Sequence, residues 1–328
     1  MAKTRALRRR IRSVESISQV TRTMEMVSTS KLKRAQDRVV GARPYAQALA
    51  ETIAELLSPE LAERFPLLRQ PAPPSRGGPG RSAILLVTSN RGLAGAFNAN
   101  LIRAAVERER ELVAQGLEVD LLAVGKKGIN FFKFIRRPVA LARLDIGDRP
   151  QAQHATELAQ PLIDRFEAGE LASFDVVYAH FKSALSTPPV VERVLPIQAG
   201  TGAQGHGGTG AGGHGGPQGG GHGGTQGGGH GGTGAQAHRA SATNFILKPG
   251  ADEILSALLP LYVRNMVFRA LVETAASEHG ARRTAMKNAT DNAGEMLDLL
   301  RRTYNRARQG QITQELAEIV GGAEALKG

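Results

Sequence analysis

The C-terminal stretch of the chain limits the possible folds more than any other feature. From Asp252 to about Val320, apolar residues recur in steps of three and four, and no cluster of turn residues divides them. This spacing predicts one continuous helix. At 1.5 Å per residue such a helix is about 100 Å long, whereas a compact globule of this chain length has a radius of gyration of only about 20 Å. The helix therefore has to project from the body of the protein.

A projecting helix needs a partner to cover its apolar stripe, and residues 3–57 contain the only other long helical pattern. We therefore expect the two helices to pair as an antiparallel coiled coil. The N-terminal stripe is predicted to consist of Leu7, Ile11, Val14, Ile17, Val20, Met24, Val27, Leu32, Ala35 and Val39. The stripe in the middle of the C-terminal helix is predicted to consist of Met286, Ala289, Ala293, Met296, Leu300, Tyr304 and Ala307.

The C-terminal helix is the longer of the two, so its last turns are predicted to extend past the partner. The segment "ITQELAEIVGGAEAL", residues 312–326, contains apolar residues that nothing in the chain is expected to cover. Exposed apolar surface of this kind marks contact with another protein.

Residues 81–198 alternate between strand and helix patterns. Alternation of this kind predicts a small Rossmann-like α/β domain, which lies between the two long helices in sequence. The expected strands are 82–88, 119–125, 139–145, 175–181 and 189–197, and the expected helices are 98–115, 126–134 and 154–169. The predicted fold class is therefore α/β with an antiparallel coiled coil of the terminal helices.

Two further segments have the composition of connections. Residues 58–80 are rich in proline and glycine, which predicts a linker. Residues 199–243 are mainly Gly, His, Thr, Gln and Ala, with almost no apolar side chain, which predicts a disordered insert. The expected division is thus an N-terminal helix over 1–57, the linker, the α/β domain over 81–198, the insert, and a C-terminal helix over 244–328.

Histidines recur every eight residues within the insert, at His206, His214, His222, His230 and His238. Repeated histidines raise the hypothesis of metal binding. Flexible glycines between single histidines preorganise no coordination shell, however. We therefore expect a low-complexity loop and predict no metal site and no cofactor.

The stretch "VTSNRGLAGAFNAN", residues 87–100, has the strand–glycine–helix order that often holds phosphate in α/β proteins. Gly92 and Gly95 give only G-x-x-G, whereas a dinucleotide fingerprint needs G-x-G-x-x-G and a P-loop needs Gly-Lys-Ser/Thr. The loop also contains no lysine. We expect its glycines to permit a tight turn, with no direct binding of nucleotide.

The chain has a net charge of +12, and residues 1–57 hold 12 Lys/Arg against 5 Asp/Glu. A basic helix suits binding to nucleic acid, to an acidic membrane surface or to an acidic protein partner, or it is a solvated face.

The chain has no cysteine, which excludes disulfides and thiolate chemistry. We expect no membrane span and no secretory signal, and hence a cytoplasmic or peripheral location.

Several motifs occur in the order found in one known family. "MEMVSTSKLKRAQ", "RPYA", "SNRGLAGAFNANL", "ASEHGARRTAMKNATDNAGEMLDLL" and "YNRARQGQITQELAEIVGGAEAL" resemble the gamma subunit of F-type ATP synthase, over nearly everything except residues 198–243. The resemblance implies a non-catalytic rotor shaft on the cytoplasmic face of the bacterial plasma membrane. Its implied partners are the alpha and beta subunits of the alpha3beta3 ring, the epsilon subunit and the membrane c-ring. The Gly/His insert departs from the family pattern.

The resemblance also implies the residues that touch the alpha3beta3 ring, which are Met24, Arg282, Gln309, Thr313, Glu315, Ile319 and Val320. The basic residues Lys3, Arg5, Arg8, Arg9, Arg10 and Arg12 are expected to face acidic collars of the ring or water. No catalytic residue is predicted. His154, His180 and His279 are expected to be structural, because nothing in the sequence joins them to a Ser, Asp or Glu as a catalytic set.

Two other functions are compatible with parts of the sequence. A nucleic-acid-binding coiled coil fits the basic N-terminus, but aromatic residues for base stacking amount to only 4%. A nucleotide-binding α/β enzyme fits the glycine loop, but lacks the phosphate motifs. A nucleic-acid-binding coiled coil would be retained on DNA in a salt-dependent way. A nucleotide-binding enzyme would bind ATP or NAD as the isolated chain.

Overall fold

The computed structural model describes residues 2–56, 64–69, 80–197 and 251–325. Two long helices occupy the ends of the chain, α1 (Ala2–Leu56) and α5 (Ala251–Ala325). The elements between them are, in order, β1 (Arg81–Val87), α2 (Phe97–Ala114), β2 (Glu118–Val124), α3 (Lys126–Phe134), β3 (Leu141–Arg143), α4 (Ala152–Glu167), β4 (Ser173–Ala179) and β5 (Pro189–Leu195). Most of the predicted linker and the whole predicted insert lie outside the described residues.

The five strands form one sheet in the order β3–β2–β1–β4–β5. The first four are parallel, with Leu85 beside Leu122 in one pair and beside Val176 in the other, and β5 runs antiparallel to β4. Each strand segment of the sequence prediction overlaps an observed strand, to within two residues at its start. The α/β class with two long helices is confirmed.

Residues of β1 alternate between two cores, as the two-residue period of a strand requires. Ile84 and Leu86 face a core with α2 and α3, which contribute Leu101 and Phe132. Ala83, Leu85 and Val87 face a second core, built with α4, the C-terminal end of α1 and the N-terminal end of α5. Both faces of the central strand are therefore covered, which explains its run of apolar residues.

The second core joins the sheet to the long helices. Leu49 and Ile53 of α1 and Leu259, Val263 and Val267 of α5 are buried in it. By length and composition α5 qualifies as a candidate membrane span, which the sequence analysis did not anticipate. The first half of α5 is buried against α1 and the sheet, which is an ordinary reason for an apolar composition.

Gly125 allows two loops to cross closely at the carboxyl end of the sheet. Its φ is +95°, and a Cβ at this position would lie 2.1 Å from the carbonyl oxygen of Thr88. Any other residue would therefore push the β1 loop away from the β2 loop.

Candidate functional site

The candidate functional site is the shaft that α1 and α5 form beyond the sheet. Contacts along it pair early residues of α1 with late residues of α5. The Thr4 hydroxyl lies 3.2 Å from Gln311 Oε1, Arg301 donates to Glu15 at 2.8 Å, and the hydroxyls of Thr21 and Thr290 are 2.8 Å apart. The helices are thus antiparallel.

The covered positions of both helices follow the spacing of a coiled-coil seam, with alternating steps of three and four. On α1 they include Thr4, Leu7, Ile11, Val14, Ser18, Thr21, Glu25, Ser28, Leu32, Ala35 and Val39. On α5 they include Met286, Thr290, Ala293, Leu297, Leu300, Tyr304, Ala307 and Gln311. A period of 3.5 keeps the two stripes in contact over many turns.

The middle of the seam differs from the sequence prediction. Ile17, Val20 and Val27 were expected in the stripe, but their side chains are more than half exposed, while Thr21 and Ser28 are buried. Each buried residue follows an exposed apolar one, so the true stripe is rotated by about 100° around α1. On α5, Met296 is likewise exposed and Leu297 is buried in its place.

The tip of the shaft is the segment of α5 beyond Gln311. Ile312, Leu316, Ile319 and Val320 are all 48% exposed or more. Thr4, near the start of α1, lies against Gln311, so the described residues of α1 do not run alongside them. The tip thus presents an apolar helix surface that the described part of the chain leaves uncovered.

The predicted site residues occupy two separate places. Gln309, Thr313, Glu315, Ile319 and Val320 are exposed at or near the tip. The Thr313 hydroxyl donates to the backbone of Gln309, and Glu315 accepts from Gln311, so these bonds stay within the helix. Met24 and Arg282 lie far from them.

Arg282 is about 40 Å along the helix from Gln309, at 1.5 Å per residue. Its side chain is buried, binds Glu278 at 2.5 Å and donates to the carbonyl oxygen of Gly92 at 3.2 Å. Met24 is half-buried, one turn from the Thr21–Thr290 pair. The role of these residues in contacting a ring stays a prediction.

The contact of Arg282 gives the glycine loop a structural role. The loop runs from Thr88 to Ala96 and ends where α2 begins. Asn98, in the first turn of α2, accepts hydrogen bonds from the backbone N–H and the hydroxyl of Ser89 in the loop, each at 3.0 Å. The loop is therefore folded back on α2 and held against α5.

Sequence reasoning missed a polar joint between α5 and the end of β4. Thr274 accepts from the backbone N–H of Ala179, and Ser277 donates to the carbonyl oxygen of the same residue. Glu273 accepts from the backbone of Phe181 at 3.1 Å and lies 2.5 Å from His180 Nδ1. These bonds continue the hydrogen bonding of the strand onto the helix. The available signal was the polar run "ETAASEH" in an otherwise apolar part of α5.

Burial and neighbouring charge set the titration of this joint. Burial alone raises the pKa of Glu273, but the hydrogen bonds and charges of His180 and Arg269 outweigh it and lower that pKa. Burial raises the pKa of Glu278, and Arg282 offsets only part of the effect. Burial also lowers the pKa of His279 to about 4, so this imidazole is neutral at physiological pH.

The three histidines of the described residues have separate surroundings. His154 Nδ1 accepts from the backbone of Gln151 at the start of α4, and His180 lies against Glu273. Nδ1 of the buried His279 has no hydrogen-bond partner among the described residues. In the same part of the chain, no group of three His, Asp or Glu is placed to hold a metal ion.

Comparison with known proteins gives matches over the whole chain. A family model described as ATP synthase matches residues 3–326. The ATP synthase gamma chain of Gemmatimonas aurantiaca is 52% identical over 328 residues, and that of Moorella thermoacetica is 40% identical over 329 residues, each with 100% of both chains covered. The fold also matches a chain of the Euglena gracilis mitochondrial ATP synthase, solved as OSCP/F1/c-ring in rotational state 3. The TM-score is 0.62 at 19% identity, over 99% of this chain and 95% of that one.

Proposed function

The chain belongs to the ATP synthase gamma chain family, and from this premise we propose that it is the central rotor stalk of an F-type ATP synthase. Ion flow through a membrane rotor ring turns the stalk, and the turning stalk drives the catalytic alpha3beta3 ring through its conformational cycle. The observation that carries this proposal is the shaft, a two-helix rod that leaves the sheet domain and ends in an uncovered apolar tip.

Each part of the molecule has a task in this proposal. The shaft, the part of α1 and α5 beyond the sheet, stands inside the alpha3beta3 ring. The α/β domain, residues 81–198, sits on the c-ring beside the epsilon subunit and receives the torque. The polar joint between Glu273 and Ser277 of α5 and the end of β4 transmits it, because buried hydrogen bonds resist relative rotation of strand and helix. Residues 58–80 and 199–243 serve as connections.

The stalk works by presenting different surfaces to three equivalent partners. Around its axis the shaft shows the exposed apolar residues Ile17, Val20 and Val27 on one side of α1 and basic residues such as Arg8 and Arg12 on another. Three subunits around such a rod meet different side chains at any one moment. Rotation then exchanges these contacts in order, which imposes different states on the catalytic sites.

The ring contacts in this proposal are those that family resemblance suggests. Gln309, Thr313, Glu315, Ile319 and Val320 contact the ring at the tip, and their exposure supports this role. Met24 and Arg282 act near the sheet domain, where Arg282 positions the glycine loop. Lys3, Arg5, Arg8, Arg9, Arg10 and Arg12 face acidic groups of the ring.

The chain itself is proposed to be non-catalytic and peripheral to the cytoplasmic face of the plasma membrane. In this account it binds nucleotide only through its partners, which fits the use of the glycine loop in packing against α5. It contacts no nucleic acid, and its basic residues serve protein contacts.

Reconstitution tests the proposal. The purified chain is mixed with alpha and beta subunits, and assembly and ATP hydrolysis are measured beside the chain alone and beside alpha and beta alone. We expect no hydrolysis by the chain alone and a stable, active complex from the three together. Turnover by a contaminant-free sample of the chain, or activity of alpha and beta that does not change when the chain is added, contradicts the proposal.

A further inference from the structure

A cleft opens where the shaft meets the sheet domain, and we call it the basic cleft. It has a volume of about 140 Å³ and is lined by Lys31, Arg34, Ala35, Arg38, Asp148, Arg149 and His279. These residues come from α1, from the loop between β3 and α4, and from α5. The cleft thus lies between three separate parts of the fold.

Positive charge in the basic cleft exceeds negative charge. Four cationic side chains line it against one carboxylate, and that carboxylate, Asp148, already pairs with Lys31. Among the described residues, Arg34 bonds to the backbone and hydroxyl of Ser30. Arg38 and Arg149 have no carboxylate partner within the described ranges. Three arginines therefore line the cleft without a carboxylate partner among the described residues.

The inner wall of the basic cleft includes the buried His279. His279 is 2% exposed, and its Nδ1 has no hydrogen-bond partner in the described part of the chain. Its Nε2 lies 4.0 Å from Asp148. A buried polar atom without a partner is unfavourable. Arginine forks bind the oxygens of phosphate in pairs.

We propose that the basic cleft binds a phosphate group, either free inorganic phosphate or the phosphate of a lipid headgroup. Arg34, Arg38 and Arg149 supply the charge, and His279 lies at the inner wall. A volume of about 140 Å³ holds several water molecules, and therefore a tetrahedral oxyanion. The bound group links α1 to the β3–α4 loop, in addition to the existing Lys31–Asp148 pair. Phosphate thereby strengthens the connection between shaft and sheet domain.

Titration of the purified full chain with inorganic phosphate tests the proposal, with calorimetry for affinity and the melting temperature as a second readout. We expect one saturable site and a rise in melting temperature, because a ligand that binds only the folded state stabilises it. Arg38→Gln and Arg149→Gln should each weaken binding by about tenfold, the effect of losing a charge-assisted hydrogen bond. Arg22→Gln is the matched control, an exposed arginine on the same helix outside the cleft, and should leave binding unchanged.

Vesicles distinguish the two sources of phosphate. Retention on phosphatidylglycerol but not on phosphatidylcholine vesicles, lost in Arg38→Gln and competed by inorganic phosphate, supports a lipid headgroup. Phosphate binding without such retention supports the free anion. Absence of saturable phosphate binding, or equal weakening by Arg22→Gln, overturns the proposal. Binding that disappears when the chain is assembled with alpha and beta subunits also overturns it, because the guanidinium groups then face protein carboxylates.

Discussion

At the scale of single residues, the direction of a side chain on the shaft decides its importance. Leu297 and Met296 are neighbours in sequence, but Leu297 is 9% exposed in the seam and Met296 is 53% exposed to solvent. In the sequence both are apolar residues of one helix. The register between α1 and α5 decides which of the two side chains is buried, and that register depends on both helices.

An aspartate in the seam tests this assignment. Leu297→Asp places a charge without a partner between the helices and should lower the free energy of unfolding by about 3 kcal/mol. Met296→Asp is the matched control and should change it by less than about 0.5 kcal/mol. Leu300→Asp, at a half-buried position, should fall between them. Urea denaturation measures all three, and equal effects at Leu297 and Met296 would show that the register is wrong.

The buried His279 makes stability depend on pH. Burial lowers its folded-state pKa to about 4, below the ordinary value of 6.5, so the unfolded chain binds the proton first as pH falls. Stability from this group is complete above pH 6.5 and is lost between pH 6.5 and about 4, by up to about 3 kcal/mol. The raised pKa of Glu278 acts in the opposite direction in part of this window.

The comparison of the wild type with His279→Gln isolates this contribution. Glutamine keeps a polar side chain and does not titrate, so the difference in unfolding free energy between the two proteins should change steeply between pH 6.5 and pH 4. Denaturation at several pH values measures it. A difference that stays constant over that range would contradict the assignment of a buried, neutral imidazole.

At the scale of elements, the sequence predicted what each segment becomes more reliably than which face it buries. Alternating strand and helix patterns identified every strand of the sheet, because both faces of the central strands are covered and their apolar runs are unmistakable. The stripe on α1 was misassigned near Ile17 and Val20. Two adjacent stripes there both follow steps of three and four, and the buried one contains Ser18, Thr21 and Ser28. Only the partner helix decides between them.

The contact between the glycine loop and α5 includes the buried Arg282–Glu278 ion pair. Arg282→Met leaves Glu278 buried without a counter-charge and removes the hydrogen bond to Gly92. We therefore expect the free energy of unfolding to fall by about 3 kcal/mol. Adding Glu278→Gln to this variant should restore much of the lost stability, because the buried charge without a partner is then removed. A double-mutant cycle measures the coupling energy between Arg282 and Glu278. If the second change restores no stability, the ion pair does not stabilise the contact between the glycine loop and α5.

The tip of α5 should be dispensable for folding. Residues 312–322 are exposed, and their hydrogen bonds stay within α5, so deletion of 312–328 should leave the thermal midpoint within a few degrees of the wild type. The same deletion should weaken assembly with alpha and beta subunits, because it removes the exposed apolar residues proposed to contact the ring. Gel filtration of the mixture measures assembly. A strongly lowered midpoint would place the tip in the fold of the chain itself.

At the scale of the whole molecule, the length of the C-terminal helix predicts the shape. A helix of about 100 Å cannot lie inside a domain of this size, so it has to project. The joint at Glu273 and Ser277 could not be foreseen, because it depends on where the end of β4 meets the helix in three dimensions. The rod, the joint and the sheet domain together have the form that transmission of torque requires.

Rotation of single molecules tests the central claim most directly. The chain has no cysteine, so Leu185→Cys places one reactive thiol on the sheet domain, where that side chain is 85% exposed. The variant is assembled with alpha and beta subunits, the ring is fixed to a surface, and a bead is attached to the thiol. On addition of ATP, we predict rotation in one direction, with pauses every third of a turn from the threefold ring. ATP hydrolysis at the normal rate while the bead stays still would contradict a rotor.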